Sequence, residues 1–569
     1  MATVIIQPAG IRAGAQRVNL TAIAHNRLML ILLLFLAITA ILVLRLMWVG
    51  VFASSGHGST GLGGVPARAD IVDRNGVPLA RTMDAYSISV RPSKLIGEPA
   101  ELARKLHEIF PDEPEAAFYK KLTGKGWAYL RRRALPEEVA AVNALGEIGI
   151  EFPREKERLY PQRTLAAHVL GFAPRIDGEG GMGVEAAFND RLTDPATLGQ
   201  PFAISIDSRV QGALESELYA QMVSQRAKGA GGIVLDANTG EVIAMASIPV
   251  FDPNKLQGTV GKTCSDSPRC NQMVQARLEL GSTFKPLSIG VAMDRGVVTS
   301  MSKRYDATAP LQVGRFRIKD DHSAGRWLNV PETLVQSSNI VTARIADEMG
   351  AEPLQTLFRS LEFDQRPAIE LKERAKGIWP SSWGRITTMT VAYGHGIAVT
   401  PMHLASAYAA LVNGGIYRPA TLRKLKADEA PQGRRVFSAA TSARMRQLLR
   451  MIVAAGTGRS ADAKGYRVGG KTGSAEKPFE GRYNKSSLVT TFASAFPMDN
   501  PRYVVLAMMD EPKGNAETFG LRTAAWTASP VVKRVVERIG PMLGVLPDEH
   551  RDVEISDLMP LLWKAKGEE

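Results

Sequence analysis

The sequence predicts an α+β protein with three parts: an N-terminal membrane-spanning helix, a pedestal domain, and a larger domain in which one antiparallel sheet is covered by helices. Three observations carry this. Leu28 to Leu44 is an unbroken apolar run apart from Thr39. Strand-like segments pair as hairpins near both ends of the stretch from Gly232 to Met509, with mostly helical sequence between them. Before that stretch Val210, Leu214, Leu218 and Met222 recur every four residues, and after it Val531, Val532, Val535, Val536 and Ile539 form a second apolar helical face.

Taken in order, residues 1–27 form a short cytoplasmic tail with Arg12, Arg17 and Arg27, and the first acidic residue of the chain is Asp70. The span follows over 28–52, with Arg45 reaching the far interface beside Trp48. Arginine before the span and no acid until Asp70 place everything after it outside the cytoplasm by the positive-inside rule. A cleaved signal peptide is the alternative reading of the same run, with Ala53-Ser54-Ser55 as its cleavage site. Residues 53–67, rich in glycine, read as a flexible linker.

Residues 68–200 alternate short strands (Ala85 to Val90) with helices (Pro99 to Ile109, Pro136 to Leu145) and show no nucleophile arrangement, so they read as a non-catalytic pedestal. Gly199-Gln200-Pro201 marks the boundary to the main domain, 201–545. There Ile233-Val234-Leu235 and Val242-Ile243-Ala244 pair across Asn238-Thr239-Gly240, and Leu488 to Phe496 pairs with Tyr503 to Met509 across Asp499-Asn500-Pro501. A helix entering the core is expected over Pro331 to Ala346. Residues 546–569 are a C-terminal tail.

Composition bounds the partners. The chain of 569 residues is 45% hydrophobic and 22% charged, ordinary globular material for two domains. Its formal charge of +13 is compatible with nucleic acid. The export signal makes anionic envelope surfaces the better match, and no nucleic acid partner is expected. Cys264 and Cys270 are the only cysteines. Such a close pair in an exported domain reads as a disulfide, with free buried thiols as the alternative because spacing does not fix geometry. A metal site needs more ligands than this stretch offers, and no metal or other cofactor is expected.

The candidate chemistry sits at Leu280-Gly281-Ser282-Thr283-Phe284-Lys285-Pro286. Residues three apart share a helical face, so Lys285 is within reach of the Ser282 hydroxyl as its base. Pro286 is tolerable only in a first turn, which puts Ser282 at a helix N-terminus, where unpaired N–H groups favour an oxyanion. About two S-x-x-K tetrads arise by chance in a chain of this length and average composition, so the tetrad needs support. The base must be neutral, and a second cation nearby helps to make it so. Ser337-Ser338-Asn339 supplies a hydroxyl to shuttle the proton and an amide to hold substrate. Lys471-Thr472-Gly473-Ser474 supplies a second cation, two hydroxyls and a backbone that a ligand can approach closely.

Ser282-Thr283-Phe284-Lys285, Ser337-Ser338-Asn339 and Lys471-Thr472-Gly473, in this order, resemble the S-x-x-K, S-x-N and K-T-G set of the penicillin-recognising serine acyltransferases. With Ile71 to Gly76, Gly183-Val184-Glu185, Tyr393 to Met402 and Ala495 to Gly514, the chain is most similar to class B penicillin-binding proteins of the division-specific (septal) type. The resemblance runs from Arg68 to about Leu543. It implies a penicillin-binding, β-lactamase-like transpeptidase domain on a dimerisation-type pedestal. The implied enzyme is a peptidoglycan D,D-transpeptidase of the cell inner membrane, single-pass, with its catalytic domain in the periplasm. It would cross-link stem peptides ending in D-Ala-D-Ala during septal wall synthesis and be trapped by β-lactams. A membrane-embedded glycan polymerase and other division proteins would be its partners.

Carried over by position, Ser282 is the nucleophile and Lys285 its base. Ser337 and Lys471 relay the proton, and Asn339 orients Lys285 and the substrate amide. Thr472, Gly473 and Ser474 bind substrate, the backbone N–H groups of Ser282 and Ser474 forming the oxyanion hole. An elongation-specific class B enzyme would share these residues. A non-catalytic penicillin-binding scaffold or sensor is the reading from a different class. Gly465 to Thr472 also satisfies the P-loop pattern G-x-x-x-x-G-K-T, but Gly473 and Pro478 oppose the helix that such a loop must open, and the same residues serve better as a substrate-binding strand.

Overall fold

The computed structural model describes residues 12–52, 67–174, 180–256, 264, 267–426, 429, 431–479 and 482–563. It divides into two units, Met1–Leu62 and Gly63–Glu569. In the first, helix α1 (Arg12–Phe52) contains a 21-residue stretch, His25–Arg45, of mean hydropathy 2.8 whose side chains are exposed throughout. That length and composition suffice to cross a bilayer, since about 20 apolar residues span its hydrocarbon core.

In the second unit the pedestal is organised on one long strand. Strand β1 (Ile71–Val72) is followed by β2 (Pro78–Val90), which pairs antiparallel with β1, with β3 (Ala128–Ala134), with β4 (Ile150–Glu151) and with β5 (Arg154–Leu159). Helices α2 (Pro99–Ile109), α3 (Glu115–Leu122) and α4 (Pro136–Asn143) lie between β2 and β4 in the chain. Leu102, Leu106, Phe110, Phe118 and Leu122 from α2, α3 and the turn between them meet Ile88, Val90 and Leu130 in a small core.

The boundary at 200/201 falls inside a pairing: β6 (Phe202–Ala203) lies parallel to β1, with Ile71 opposite Phe202. No periodicity marks a two-residue strand returning across some 130 positions, and sequence reading did not reveal this pairing.

The main domain is a five-stranded antiparallel sheet in the order β9-β10-β11-β7-β8. Its strands are β7 (Gly229–Asp236), β8 (Val242–Ile248), β9 (Gly469–Phe479), β10 (Arg482–Phe496) and β11 (Tyr503–Asp510). The first and last segments meet at the β11–β7 seam, where Leu506 pairs with Ile233. Side chains alternate between two cores, as a period of two requires. Ile233, Leu235 and Leu506 face one core, while Val234, Val505 and Phe492 face the other.

The main-domain helices used below are α5 (Ser208–Ser224), α6 (Lys285–Asp294), α7 (Val330–Val335), α8 (Asn339–Met349), α9 (Pro401–Val412) and α10 (Ala528–Met542). Val210, Leu214 and Leu218 of α5 pack with Val531, Val532, Val535, Val536 and Ile539 of α10 in one core. Each such buried side chain contributes about 1.5–3 kcal/mol relative to exposure. Helix α9, buried along its whole length, packs in the other core.

One expectation needs correction. Pro331 to Ala346 is not one helix: α7 ends at Val335, Ser337 turns into the left-handed region (φ 63°), and α8 begins at Asn339 with Ser338 as its N-cap. Within the expected C-terminal tail, residues 546–563 dock on the main domain. Leu558 is fully buried, Asn329 Nδ2 donates to the Leu561 carbonyl (2.6 Å), and Trp563 N–H donates to Glu332 Oε1 (3.0 Å). Asn329 and Glu332 form the capping box of α7, so the C-terminal segment docks on the helix that leads to Ser337.

Candidate active site

Ser282 lies on a single 3-10 turn, Gly281–Phe284, that runs directly into α6 with Pro286 in its first turn. In a 3-10 turn residues i and i+3 eclipse, which keeps Ser282 and Lys285 on one side. The turn is fixed from beneath. Phe284 is fully buried against the rings of Phe358 and Phe363 (5.5 Å each), and Tyr408 on α9 donates its hydroxyl to the Thr283 carbonyl (2.9 Å).

It is also pressed from two sides by backbone. A Cβ at Gly473 would stand 2.4 Å from the Leu280 carbonyl oxygen, and one at Gly394 (φ 84°) would stand 2.2 Å from that of Gly281. Both positions therefore require glycine. β9 is the edge strand of the sheet, so its outer backbone groups border the serine turn and can pair with an extended peptide.

The structure brings Lys285, Ser337 and Lys471 together. The Ser337 hydroxyl lies 3.1 Å from Lys285 Nζ and 2.9 Å from Lys471 Nζ, and Lys285 also donates to the Ser337 carbonyl. The left-handed backbone at Ser337 aims both of its oxygens at the lysines. Such strain, of order 1–3 kcal/mol, characterises functional positions. Both lysines are fully buried. Burial pulls Lys285 down to about 7, against the opposing pull of Asp320 and Asp321. Lys471 is held well below its ordinary value by burial and then by the charge of Lys285. Two ammonium groups around one hydroxyl in a dry pocket disfavour each other, so the pair supplies a neutral amine near neutral pH.

Thr472 sits beside them, its hydroxyl 3.1 Å from Lys471 Nζ and 3.1 Å from the Thr457 hydroxyl. Ser474 accepts from the Ala524 N–H (3.0 Å). Among the described residues the Ser282 hydroxyl has no hydrogen-bond partner, a common state of a site without substrate.

Asn339 is not with them. Its side-chain amide donates to the Lys319 carbonyl (3.1 Å) and makes no bond to Lys285, because its backbone is held at the start of α8. The residue that holds it is one sequence reading missed. Asp320 accepts from the N–H groups of Asn339 (2.6 Å) and Ile340 (2.9 Å) and from the Ser338 hydroxyl (2.8 Å). It lies 18 residues before Ser338, outside any local motif.

Cys264 and Cys270 are joined, with 5.2 Å between their Cα atoms. Lys471-Thr472 stands inside β9 with Lys471 opposite Ala493, not at the start of a helix. Among the described residues no group of three or more His, Cys, Asp or Glu side chains is placed to hold a metal. A cavity of about 720 Å³ lies away from this site, among Arg131, Arg132, Arg133 and Asn254, and no serine, threonine or cysteine lines it.

Comparison with known proteins agrees with this geometry. Residues 230–534 match the penicillin binding protein transpeptidase domain, and residues 64–193 match the penicillin-binding protein dimerisation domain. The probable peptidoglycan D,D-transpeptidase FtsI of Caulobacter vibrioides is 39% identical over 509 residues, covering 88% of this chain and 85% of that protein. Peptidoglycan D,D-transpeptidase FtsI of Escherichia coli is 28% identical over 522 residues, covering 85% and 84%. The solved transpeptidase domain of Burkholderia pseudomallei penicillin-binding protein 3 superposes with a TM-score of 0.54 at 30% identity, over 61% of this chain and 97% of that one. With a serine turn, a buried lysine pair and an edge strand already in register, the chain belongs to the penicillin-binding protein transpeptidase family, as a peptidoglycan D,D-transpeptidase.

Proposed function

We propose that Ser282 is the acylating nucleophile and that the Lys285–Ser337–Lys471 cluster moves its proton. Neutral Lys285 takes the Ser282 proton as Oγ bonds to the penultimate D-alanine carbonyl carbon of a stem peptide. The oxyanion is held by the backbone N–H groups of Ser282 and Ser474. On collapse the C–N bond to the terminal D-alanine breaks, and its nitrogen receives the proton through Ser337. A neighbouring stem's amine then attacks the ester, one amine proton returns to Ser282 Oγ, and an amide cross-link remains. Thr472, Gly473 and Ser474 hold the substrate's terminal carboxylate and strand. Asn339 serves the substrate amide rather than Lys285. β-Lactams present a strained cyclic amide in place of that peptide bond and stay bound as the ester.

The observation that carries this reading is the Ser337 hydroxyl standing between two buried lysines. Septal wall synthesis is the favoured setting, supported by the similarity to FtsI of Caulobacter vibrioides. The apolar stretch His25–Arg45 and the arginines before it support a single-pass inner-membrane anchor with the second unit on the periplasmic side. The pedestal, 68–200 with β6, then spaces the site from the membrane and meets a glycan polymerase and other division proteins. The Cys264–Cys270 bond suits that oxidising side.

Labelling with a fluorescent penicillin, followed by mass mapping, tests the assignment. The adduct is expected on Ser282 and absent in Ser282→Ala. An adduct elsewhere, or none on folded protein, overturns it and leaves a non-catalytic scaffold.

A further inference from the structure

Cross-linking needs a place for the second substrate, the amine that resolves the acyl-enzyme, and this place is distinct from the strand that binds the donor. Beside the serine turn stands a carboxylate with no cation. Glu279 Oε1 accepts from the Gly396 N–H (3.0 Å), and the Tyr483 hydroxyl lies 3.0 and 3.1 Å from its two oxygens. Among the described residues no lysine, arginine or histidine pairs with it. A half-buried carboxylate met only by neutral donors has lone pairs to spare.

Tyr483, which donates to it, is joined by two further rings. His395 lies 5.2 Å from Tyr393 and 6.3 Å from Tyr483, centroid to centroid. His395 Nδ1 is buried without a hydrogen-bond partner. Burial, and then the charge of Glu279, push the Tyr393 phenol up to about 12. The group adjoins the nucleophile through backbone, because Gly281 N–H donates to the Gly394 carbonyl (3.3 Å) and Gly394 lies between Tyr393 and His395. Tyr483 belongs to β10 near its turn with β9, so the clasp also ties the tip of the substrate strand to the serine segment.

We propose that Glu279, with Tyr393, His395 and Tyr483, forms the subsite that binds the acceptor amine as its ammonium. The ammonium gives one proton to Lys285, left neutral by the acylation step. The free amine then attacks the acyl-enzyme, breaking the ester C–O bond as its second proton goes to Ser282 Oγ. A carboxylate with spare lone pairs beside aromatic rings is an arrangement that recognises a primary ammonium. The donor's neutral amide and terminal carboxylate gain nothing from it, so the two substrates are sorted by charge. Glu279 is a binding and positioning residue. The inference rests on Ser282 forming the acyl-enzyme.

The test uses the full chain in detergent with a D-alanyl thioester as donor. The acceptor is a peptide carrying one free side-chain amine, and its N-acetylated form is the control. Two quantities are read for wild type, Glu279→Gln and Glu279→Asp: the rate of acylation by fluorescent penicillin, and the ratio of transfer to hydrolysis against acceptor concentration. In Glu279→Gln the transfer ratio is expected to fall about tenfold to a hundredfold, the worth of a charged hydrogen bond, while acylation changes less than about twofold. Glu279→Asp, which keeps the charge, recovers most of the ratio.

An unchanged ratio in Glu279→Gln overturns the proposal. So does a fall of ratio and acylation together in both variants, which is the signature of a merely structural clasp. Failure of wild type to acylate at Ser282 removes the underlying assignment and this inference with it.

Discussion

Two buried clusters of cations, one in the pedestal and one in the main domain, differ in what stands between the positive charges. In the pedestal it is a carboxylate. Glu185 accepts from Arg68 Nε (2.8 Å) and Arg158 Nε (2.6 Å), all three side chains being almost fully buried. Other N–H groups of these arginines reach the Glu185, Ala69 and Thr82 oxygens and Asn189 Oδ1. In the main domain it is a hydroxyl, that of Ser337, and each lysine disfavours the charge of the other.

The first arrangement fixes three distant segments of chain to one another. The second stores electrostatic repulsion and turns it into a base. Arginine suits the first because it stays charged, and lysine suits the second because its amine loses its proton on burial.

The largest effect that breaks this contrast is expected in the pedestal. Glu185→Gln leaves two buried guanidinium groups without their anion and is predicted to destabilise the protein by about 3–5 kcal/mol, read as a lower midpoint in urea. Penicillin labelling of the fraction that remains folded should be unchanged. A stability loss below about 1 kcal/mol, no more than an average single substitution costs, would show that the carboxylate is not what holds the segments.

A smaller effect sharpens the other half. Asp320→Asn weakens the cap of α8, at a cost of about 0.5–2 kcal/mol. It also removes a charge that raises Lys285. The lysine should then titrate lower, and the acid limb of acylation should move to lower pH. Movement to higher pH would contradict the assigned sign.

Much of this site was legible in sequence because its signals are local. Ser282 and Lys285 are one turn apart, and Lys471 sits in a glycine-flanked segment that forms the expected substrate-binding strand, which the structure pairs with 488–495. The hairpins at both ends announced the sheet through apolar, β-branched runs joined across Asn238-Thr239-Gly240 and Asp499-Asn500-Pro501. What sequence did not reveal depends on distant chain. Ser337 breaks a helix whose apolar spacing reads as continuous, its left-handed backbone serving contacts to lysines far away in sequence. Asp320, the return of β6 to β1 and the docking of Leu558 on the core leave no periodic trace. Asn339 shows the limit of transferring a role by motif: its position matched, but its amide turns to Lys319.

The account stands or falls on a neutral lysine near neutral pH, and the pH dependence of acylation measures it most directly. The rate constant for penicillin acylation of the full chain should rise with pH through a midpoint near 7, where Lys285 loses its proton, and level off above it. A rate that is flat across that range, or that falls as pH rises through 7, would contradict Lys285 as the base.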